Sequence, residues 1–125
     1  MPMITESQNL GDLLKYEAPN LYSRESVTVA AGQNLLLGSV LGQATVDGKF
    51  HVLNPTATDG TEVAAGVLAN DTDATLIDRD DALLIARHAI VARGALIWPE
   101  GITAAQKAAT VAQLKALGIL VRVSA

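Results

Sequence analysis

The sequence contains no cysteine and few aromatic residues. Its 125 residues include one Trp, two Tyr and one Phe, although 50% of all residues are hydrophobic. Without cysteine the chain can form no disulfide, no thiolate metal site and no cysteine nucleophile. The core must therefore be built from Ala, Val, Leu and Ile, and these small side chains favour close backbone approach and support from oligomerisation.

Basic residues are not in excess, and long hydrophobic runs are lacking. Nine Lys and Arg stand against 13 Asp and Glu, which gives a net charge of −4. We therefore expect no nucleic-acid partner, because binding to a phosphate backbone needs clustered cations. No apolar run approaches the roughly 18 residues of a membrane span, and the N-terminal segment lacks the pattern of a signal peptide. We accordingly expect no membrane partner and no export signal.

The charges are unevenly distributed along the chain. Residues 59–81 carry seven acidic side chains and one basic side chain, whereas residues 82–125 carry five basic side chains and one acidic side chain. Two interpretations stay open. The acidic stretch is either an ordinary solvated surface, or part of a polarity that orients two subunits when they associate.

Motifs for catalysis and metal binding fail at identifiable positions. Ser39 lacks the glycine two residues before it that a nucleophile elbow requires, so we interpret it as a turn residue. A calcium loop beginning at Asp71 would need Gly and Glu where Leu76 and Ala82 stand. Neither of the glycine motifs that bind phosphate occurs. The sequence therefore predicts no enzyme, no cofactor and no metal site.

The hydrophobic pattern predicts short β-strands over most of the chain. Apolar residues alternate from Ser26 onward, and Asp47-Gly48 is a strong hairpin signal. The polar residues 70–81 are predicted to form a surface loop. Residues 82–91 predict one or two strands, and residues 95–98 a further strand after Gly94.

One helix is predicted over about residues 103–117. Thr103 and Gln106 have the spacing of a capping box, in which each side chain bonds a free backbone N–H at the helix start. Gly118 stands where a left-handed C-cap belongs, and residues 119–123 then predict a final strand. The expected fold class is α+β, a β-rich body with one helix in the C-terminal half.

Residues 1–25 are predicted to form an extended N-terminal arm, distinct from a β-rich domain over residues 26–125. Ser7 can cap a short helix that carries an apolar stripe and ends at Pro19. A helix this short is marginal alone in water, so the arm needs a partner. The candidate contact residues of the arm are Leu10, Leu13, Leu14, Leu21, Tyr22 and Arg24.

Two dipeptides in the body are further candidates for an interface. Arg87 and His88 interrupt an apolar segment that we interpret as a strand. They belong to a catalytic or ligand site, to a polar strand face or to a subunit interface, and the lack of a base or nucleophile nearby in the sequence favours the last two. Trp98 and Pro99 follow the next apolar segment, where Trp98 either caps the core or anchors an interface. We expect these four residues to line a contact between subunits or to anchor the arm.

Several blocks of the sequence together resemble the lambda-type family of phage head decoration proteins. The resemblance covers about residues 23–123, and its specificity lies in the order and spacing of the blocks. The blocks are Gly32-Gln33-Asn34-Leu35, Gly38-Ser39-Val40-Leu41-Gly42, Asp59-Gly60 with Ala65-Gly66-Val67-Leu68, Arg87-His88-Ala89, Leu96-Ile97-Trp98-Pro99-Glu100-Gly101-Ile102-Thr103, and Leu114-Lys115-Ala116-Leu117-Gly118-Ile119 with Arg122.

The resemblance implies a compact, β-tulip-like domain that assembles as a homotrimer. It implies that the trimer binds the major capsid protein on the outer surface of the expanded head, at three-fold and quasi-three-fold sites. There the trimer would stabilise the shell against internal DNA pressure. The protein would be made in the host cytoplasm and end in the virion. The arm departs from the Pro/Ser/Thr-rich arm of lambda-type members, because it carries Leu10, Leu13 and Leu14.

One alternative from a different class stays open. The β-rich body is also compatible with a barrel-like module of a non-viral protein that binds a small molecule. Such a module would have a ligand pocket, and the scarcity of aromatic residues disfavours a conventional pocket.

Overall fold

The computed structural model describes residues 10–123, which form ten short strands, two α-helices and two 3₁₀ turns. The strands are β1 (Leu14–Glu17), β2 (Arg24–Val29), β3 (Gln33–Leu35), β4 (Val40–Gln43), β5 (Phe50–Val52), β6 (Ala64–Leu68), β7 (Thr72–Ala74), β8 (Arg79–Ile85), β9 (Ala89–Ala92) and β10 (Ile119–Arg122). The helices are α1 (Leu10–Leu13) and α2 (Ala104–Ala116), and the 3₁₀ turns are Pro19–Leu21 and Arg93–Ala95. The predicted α+β class, β-rich with one main helix in the C-terminal half, is confirmed.

Five strands close into a barrel in the order β2-β5-β4-β6-β8. Neighbours are antiparallel except β2 and β5, which run parallel and share the single register pair Val29 and Phe50. Because side chains alternate along a strand, every second residue enters the barrel. The interior is filled by buried side chains that include Val29, Leu41, Phe50, Leu68 and Leu84.

Small residues allow the strands of the barrel to approach closely, as the composition predicts. A Cβ atom on Gly66 would lie 2.5 Å from the carbonyl oxygen of Ile85 and 2.8 Å from Cγ of Leu84. Any side chain at this position would therefore push β6 away from β8.

A second sheet, β1-β9-β10, packs with α2 over a separate hydrophobic core. The central strand β9 is antiparallel to β1 and parallel to β10. Leu13, Val91, Leu114 and Ile119 are fully buried in this core. Each of the elements α1, β9, α2 and β10 thus contributes one of these four side chains.

The predicted ends of α2 are confirmed. The hydroxyl of Thr103 accepts from the backbone N–H of Gln106 at 3.1 Å, and the Gln106 side chain accepts from the N–H of Thr103 at 2.9 Å. Gly118 has a φ of +84°, the left-handed conformation expected after the last turn. These local signals could be predicted because both caps involve residues close in sequence.

The prediction of a loop over residues 70–81 is wrong. Thr72–Ala74 is strand β7, which pairs antiparallel with β3, and β8 already begins at Arg79. Thr72 and Ala74 are buried whereas Asp73 is exposed, so the segment has the period of two of a half-buried strand. The acidic residues around it obscured this pattern.

The helix predicted across the N-terminal segment is also shorter than expected. Within the described residues it occupies only Leu10–Leu13, and Leu14–Glu17 continues as β1 along the edge of β9. The predicted cap, Ser7, lies outside the described residues. Hydrogen bonding to an open strand edge here outweighs the local helical pattern, as tertiary context commonly does.

The segment 82–91, predicted to form one or two strands, contributes to two, because β8 ends at Ile85 and β9 begins at Ala89. Arg87 and His88 lie in the bend between them and not within a strand, and His88 has a φ of +48°. The strand predicted over residues 95–98 is wrong. After β9, the chain forms a 3₁₀ turn at Arg93–Ala95 in place of a strand, and Ile97 makes only an isolated bridge to Ser39. Ser39 itself closes a turn, as predicted, with its N–H bonded to the carbonyl of Leu36 at 3.1 Å.

Candidate protein-binding site

Residues 17–24 form a loop that an ion pair closes at its base. Nε and Nη2 of Arg24 donate to the two carboxylate oxygens of Glu17, at 2.7 Å and 2.6 Å. Such a bidentate pair fixes direction as well as distance. The hydrogen bond from Arg24 and its charge hold the pKa of Glu17 below its ordinary value. We call this segment the 17–24 loop.

A buried serine attaches the 17–24 loop to the bend between β8 and β9. Oγ of Ser23 accepts from the N–H of Ala18 at 2.9 Å and donates to the carbonyl oxygen of His88 at 2.8 Å. The carbonyl of Ser23 also accepts from the N–H of Ala86 at 2.7 Å. Ser23 is fully buried, so both hydroxyl bonds are shielded from water. The loop and the bend are therefore held as one unit.

Backbone strain is concentrated at this unit. Asn20, Leu21 and His88 have φ values of 62°, 58° and 48°, and no other non-glycine residue of the described chain has a positive φ. A bulky residue such as leucine adopts this conformation at a cost of about 1–2 kcal/mol. Strained residues persist where the surroundings over-determine them, and they cluster at binding and switch sites.

Contacts link Glu25, Arg87 and His88 to Tyr22, and we call these residues together with the adjacent Leu21 the Tyr22 cluster (Leu21, Tyr22, Glu25, Arg87 and His88). Nη1 of Arg87 donates to the carbonyl of Tyr22 at 2.7 Å, and Nη2 donates to Oε1 of Glu25 at 2.7 Å. Cζ of Arg87 lies 5.3 Å from the centroid of the Tyr22 ring, and the His88 ring packs edge-on at 5.2 Å from that centroid.

The Tyr22 cluster presents apolar surface to solvent on a rigid support. Leu21 and Tyr22 are 59% and 54% exposed, although the backbone of the loop is held at both ends. Tyrosine and arginine are enriched at the centres of protein-binding surfaces, and here an exposed tyrosine lies against a half-buried arginine. Chemically, this arrangement can bind another protein through an aromatic and aliphatic contact with charged groups at its border.

The structure separates the predicted residues of the arm into two groups. Leu13 is fully buried in the protein's own core, and Leu10 and Leu14 are partly buried against that core. Leu21 and Tyr22 are exposed, and Arg24 positions them through Glu17. The predicted boundary after residue 25 does not coincide with a break in packing, because β1 belongs to the second sheet and β2 begins at Arg24.

The predicted residues of the body are also separated. Arg87 and His88 contact Tyr22, which brings two body residues and one arm residue together. Trp98 instead packs against the core of the second sheet, and Nζ of Lys107 lies 5.7 Å from the centroid of its ring. Pro99 is half-buried beside it. The two dipeptides thus have different surroundings.

No sequence motif singles out Ser23 or the acidic partners of the two arginines. Glu17 and Glu25 lie seven and 62 residues from Arg24 and Arg87. Ser23 bonds a residue 65 positions away. Contacts at such separations leave no periodic pattern along the chain.

Other kinds of site find little support in the described part of the chain. No group of three or more His, Asp or Glu among residues 10–123 is placed to hold a metal ion. Neither helix of the described chain has the length and apolar character needed to cross a membrane. A polar depression of about 440 Å³ between β2 and the hairpin of β4 and β5 is a surface slot, lined by residues such as Glu25, Thr28 and Lys49.

Comparison with known protein families shows which family this chain belongs to. The family model of the bacteriophage lambda head decoration protein D matches residues 3–119. The chain belongs to this family. Membership in the decoration-protein family implies a structural role and an association with the phage head. No curated protein matches the chain.

The family match extends further towards the N-terminus than the resemblance seen in the sequence. It starts at residue 3 and so includes α1, β1 and the 17–24 loop. The N-terminal segment and the body of this decoration protein are therefore matched as one unit, in agreement with their shared packing.

Proposed function

We propose that this protein binds the outer surface of an expanded phage head as a homotrimer, at three-fold and quasi-three-fold sites, and stabilises the shell against internal DNA pressure. Its partner is the major capsid protein, and it has no enzymatic activity. The observation that carries the proposal is the family match over residues 3–119.

The Tyr22 cluster is the surface proposed to contact the capsid protein. It combines exposed Leu21 and Tyr22 with a strained backbone that Ser23 and Arg24 hold in place. A preorganised surface loses little conformational entropy on binding, so more of the contact energy is available as affinity. Of the candidate arm residues, Leu21 and Tyr22 have the accessible side chains that this role requires.

Three copies of the cluster on one trimer would act together. Once one copy has bound, the other two face their sites at a high effective concentration, so that individually weak contacts give a stable complex. Binding that is restricted to the intact, expanded shell stabilises that shell by mass action. No catalytic group is needed for this effect.

The small-molecule alternative is disfavoured by the barrel. About eight strands give an interior just wide enough to hold one small ligand, and this barrel has five. Its interior is occupied by side chains such as Phe50 and Leu84.

The proposal is tested by binding of variants to expanded heads that lack decoration protein. Replacing both Leu21→Ser and Tyr22→Ser removes the apolar side chains at exposed positions, so the fold is expected to survive. We expect affinity for the heads to fall by at least about 30-fold, because aromatic residues at the centre of an interface often contribute about 2 kcal/mol or more, and about 1.4 kcal/mol corresponds to a factor of ten. Co-sedimentation with the heads measures the change.

The control is Val46→Ser, at the turn between β4 and β5, where Val46 is 92% exposed. This substitution also removes an exposed apolar side chain but lies outside the Tyr22 cluster. Undiminished binding of the Leu21 and Tyr22 variant, with circular dichroism showing an intact fold, would exclude this cluster as the capsid contact. Failure of the unmodified protein to bind heads would exclude the proposed function.

A further inference from the structure

A second exposed apolar feature lies at the turn between β7 and β8, outside the Tyr22 cluster. Leu76 and Ile77 are adjacent there and are 90% and 67% exposed. Two neighbouring aliphatic side chains exposed to water in a connection between strands are costly unless a partner covers them. We call residues 75–78 the β7–β8 tip.

The β7–β8 tip is held in one conformation by its acidic neighbours. The carboxylate of Asp73 accepts from the N–H of Thr75 at 3.0 Å. Asp78 accepts from the N–H of Ala31 at 2.8 Å and pairs with Lys49 at 2.6 Å. The tip is therefore preformed, and a partner would not need to order it.

Residues 71–81, which include the exposed pair, carry an excess of negative charge. Five carboxylates, from Asp71, Asp73, Asp78, Asp80 and Asp81, stand against two cations, Arg79 within the segment and Lys49 bound to Asp78. A surface that accommodates the tip should thus be apolar at its centre and basic at its border.

One groove of the described chain has this character. It lies between α2 and β10, has a volume of about 240 Å³, and is lined by Arg93, Ala108, Val111 and Val121. We call it the α2 groove. Its floor is made of small aliphatic side chains, and one of its four lining residues is a cation.

Basic side chains without acidic partners continue along the same helix. Lys107 and Lys115 lie four residues before and after Val111, so they stand one turn away on the same face of α2. Within residues 10–123, neither these lysines nor Arg93 takes part in an ion pair. These cations remain available for acidic groups on another molecule.

We propose that the β7–β8 tip of one subunit inserts into the α2 groove of a second copy of this chain. Leu76 and Ile77 would cover Ala108, Val111 and Val121, and the acidic residues around the tip would face Arg93, Lys107 and Lys115. This contact deepens the proposed function and rests on its homotrimer, to which it assigns an interface.

The symmetry of this contact follows from its two unlike halves. Each copy offers one tip and one groove, so the interface is heterologous and every subunit binds the next one head to tail. Such an interface closes into a ring when the rotation between subunits allows it, and a trimer is such a ring. Trp98 would lie near the border of this contact, because Lys107 stands over its ring.

Disulfide cross-linking tests the contact directly, because the natural chain has no cysteine. One variant carries Leu76→Cys, and a second carries Ala108→Cys in the exposed wall of the groove. Mixed and oxidised, the two are expected to form a covalent dimer that contains one copy of each. Either variant alone is expected to form none, since a head-to-tail contact does not bring two tips or two grooves together.

The matched control replaces the tip cysteine by Val46→Cys, at an equally exposed turn of the barrel. Mixed with the Ala108→Cys variant, it should give no covalent dimer. A chain that carries both Leu76→Cys and Ala108→Cys should give covalent species up to a closed trimer. Equal cross-linking of the Val46→Cys control, or dimers formed by Leu76→Cys alone, would overturn the head-to-tail assignment.

Light scattering of the free protein provides a second measurement. The double variant Leu76→Ser and Ile77→Ser should keep its circular dichroism spectrum while its mass falls about threefold, from trimer to monomer. A variant that stays trimeric overturns this interface but leaves the proposed trimer and its capsid binding intact. A trimeric variant that loses affinity for heads would assign the tip to the capsid protein instead.

Discussion

At the scale of single residues, a few polar side chains determine how the apolar residues of the Tyr22 cluster are presented. Arg24 closes the 17–24 loop through Glu17, and Ser23 bonds the loop to the carbonyl of His88. Together with the turn hydrogen bond from the N–H of Tyr22 to the carbonyl of Pro19, these bonds hold Asn20 and Leu21 at positive φ, a conformation that leucine disfavours. The exposed leucine and tyrosine are thus positioned by residues that need not contact a partner themselves.

The ion pair between Glu17 and Arg24 predicts a pH-dependent contribution to stability. Because the pKa of Glu17 is lowered in the folded state, this contribution is present above the ordinary pKa of 4.5 and is lost as the pH falls through the lowered value. We expect Glu17→Gln to reduce the free energy of unfolding by up to about 1 kcal/mol at neutral pH, and by much less in acid. Urea unfolding across this pH range measures the difference.

Glu100→Gln is the control for this experiment, because Glu100 is exposed and makes no ion pair within residues 10–123. Its effect should be small at both ends of the range. If the effect of Glu17→Gln is the same in acid as at neutral pH, the ion pair does not stabilise the loop.

At the scale of elements, the end of α2 supports the bend that carries His88. Gly118 follows the helix with a φ of +84°, and its carbonyl accepts from the N–H of Ala89 at 3.1 Å. A Cβ atom on Gly118 would lie 2.7 Å from Cδ2 of His88. Position 118 must therefore lack a side chain, because the ring of His88, a residue of the candidate binding site, lies too close to where its Cβ atom would be.

Gly118→Ala is accordingly expected to affect both stability and binding. The left-handed conformation costs an alanine about 1–2 kcal/mol, and the added methyl group must displace the His88 ring. We expect the free energy of unfolding to fall by about 1–3 kcal/mol and affinity for heads to weaken. Chemical denaturation and co-sedimentation measure the two effects.

Gly94→Ala provides the matched comparison, because a Cβ atom on Gly94 would meet no atom within 4 Å and its φ is not in the left-handed region. Its effect on stability should stay within about 0.5 kcal/mol. Equal effects of the two substitutions would mean that the contact between Gly118 and His88 has no energetic importance.

At the scale of the whole molecule, the N-terminal segment is continuous with the body. Leu13 lies in the core with 0% of its surface exposed, and β1 covers one edge of the second sheet. Removal of residues 1–22 would therefore uncover a core and a strand edge, and is expected to unfold the protein rather than produce a folded domain without an arm.

Replacing leucine by alanine at position 13 or at position 21 distinguishes the residues of this segment that stabilise the fold from those that bind a partner. Leu13→Ala should lower the free energy of unfolding by about 2–5 kcal/mol, because it opens a cavity in the core. Leu21→Ala should change it by no more than about 0.5 kcal/mol but should weaken binding to heads. Thermal unfolding and co-sedimentation of both variants check this contrast, and a Leu13→Ala variant as stable as the natural chain would contradict it.

Local patterns are sufficient to predict much of the body. The turn at Asp47-Gly48, the capping box at Thr103 and the C-cap at Gly118 all depend on residues within a few positions of each other. The candidate site is less predictable. Leu21 and Tyr22 are separated in the sequence from Arg87 and His88, and only the pairing of strands brings the four residues into one cluster.

The sequence by itself determined the composition of the core, the position of α2 and, through the order of its blocks, the family to which the chain belongs. The tertiary structure decided that the N-terminal segment packs as part of the body, since β1 forms on the open edge of β9 and Leu13 enters a core built from distant elements. It also decided which apolar side chains remain exposed, among them Tyr22 and Leu76. Exposure depends on everything that packs around a residue, and no short-range pattern in the sequence records it.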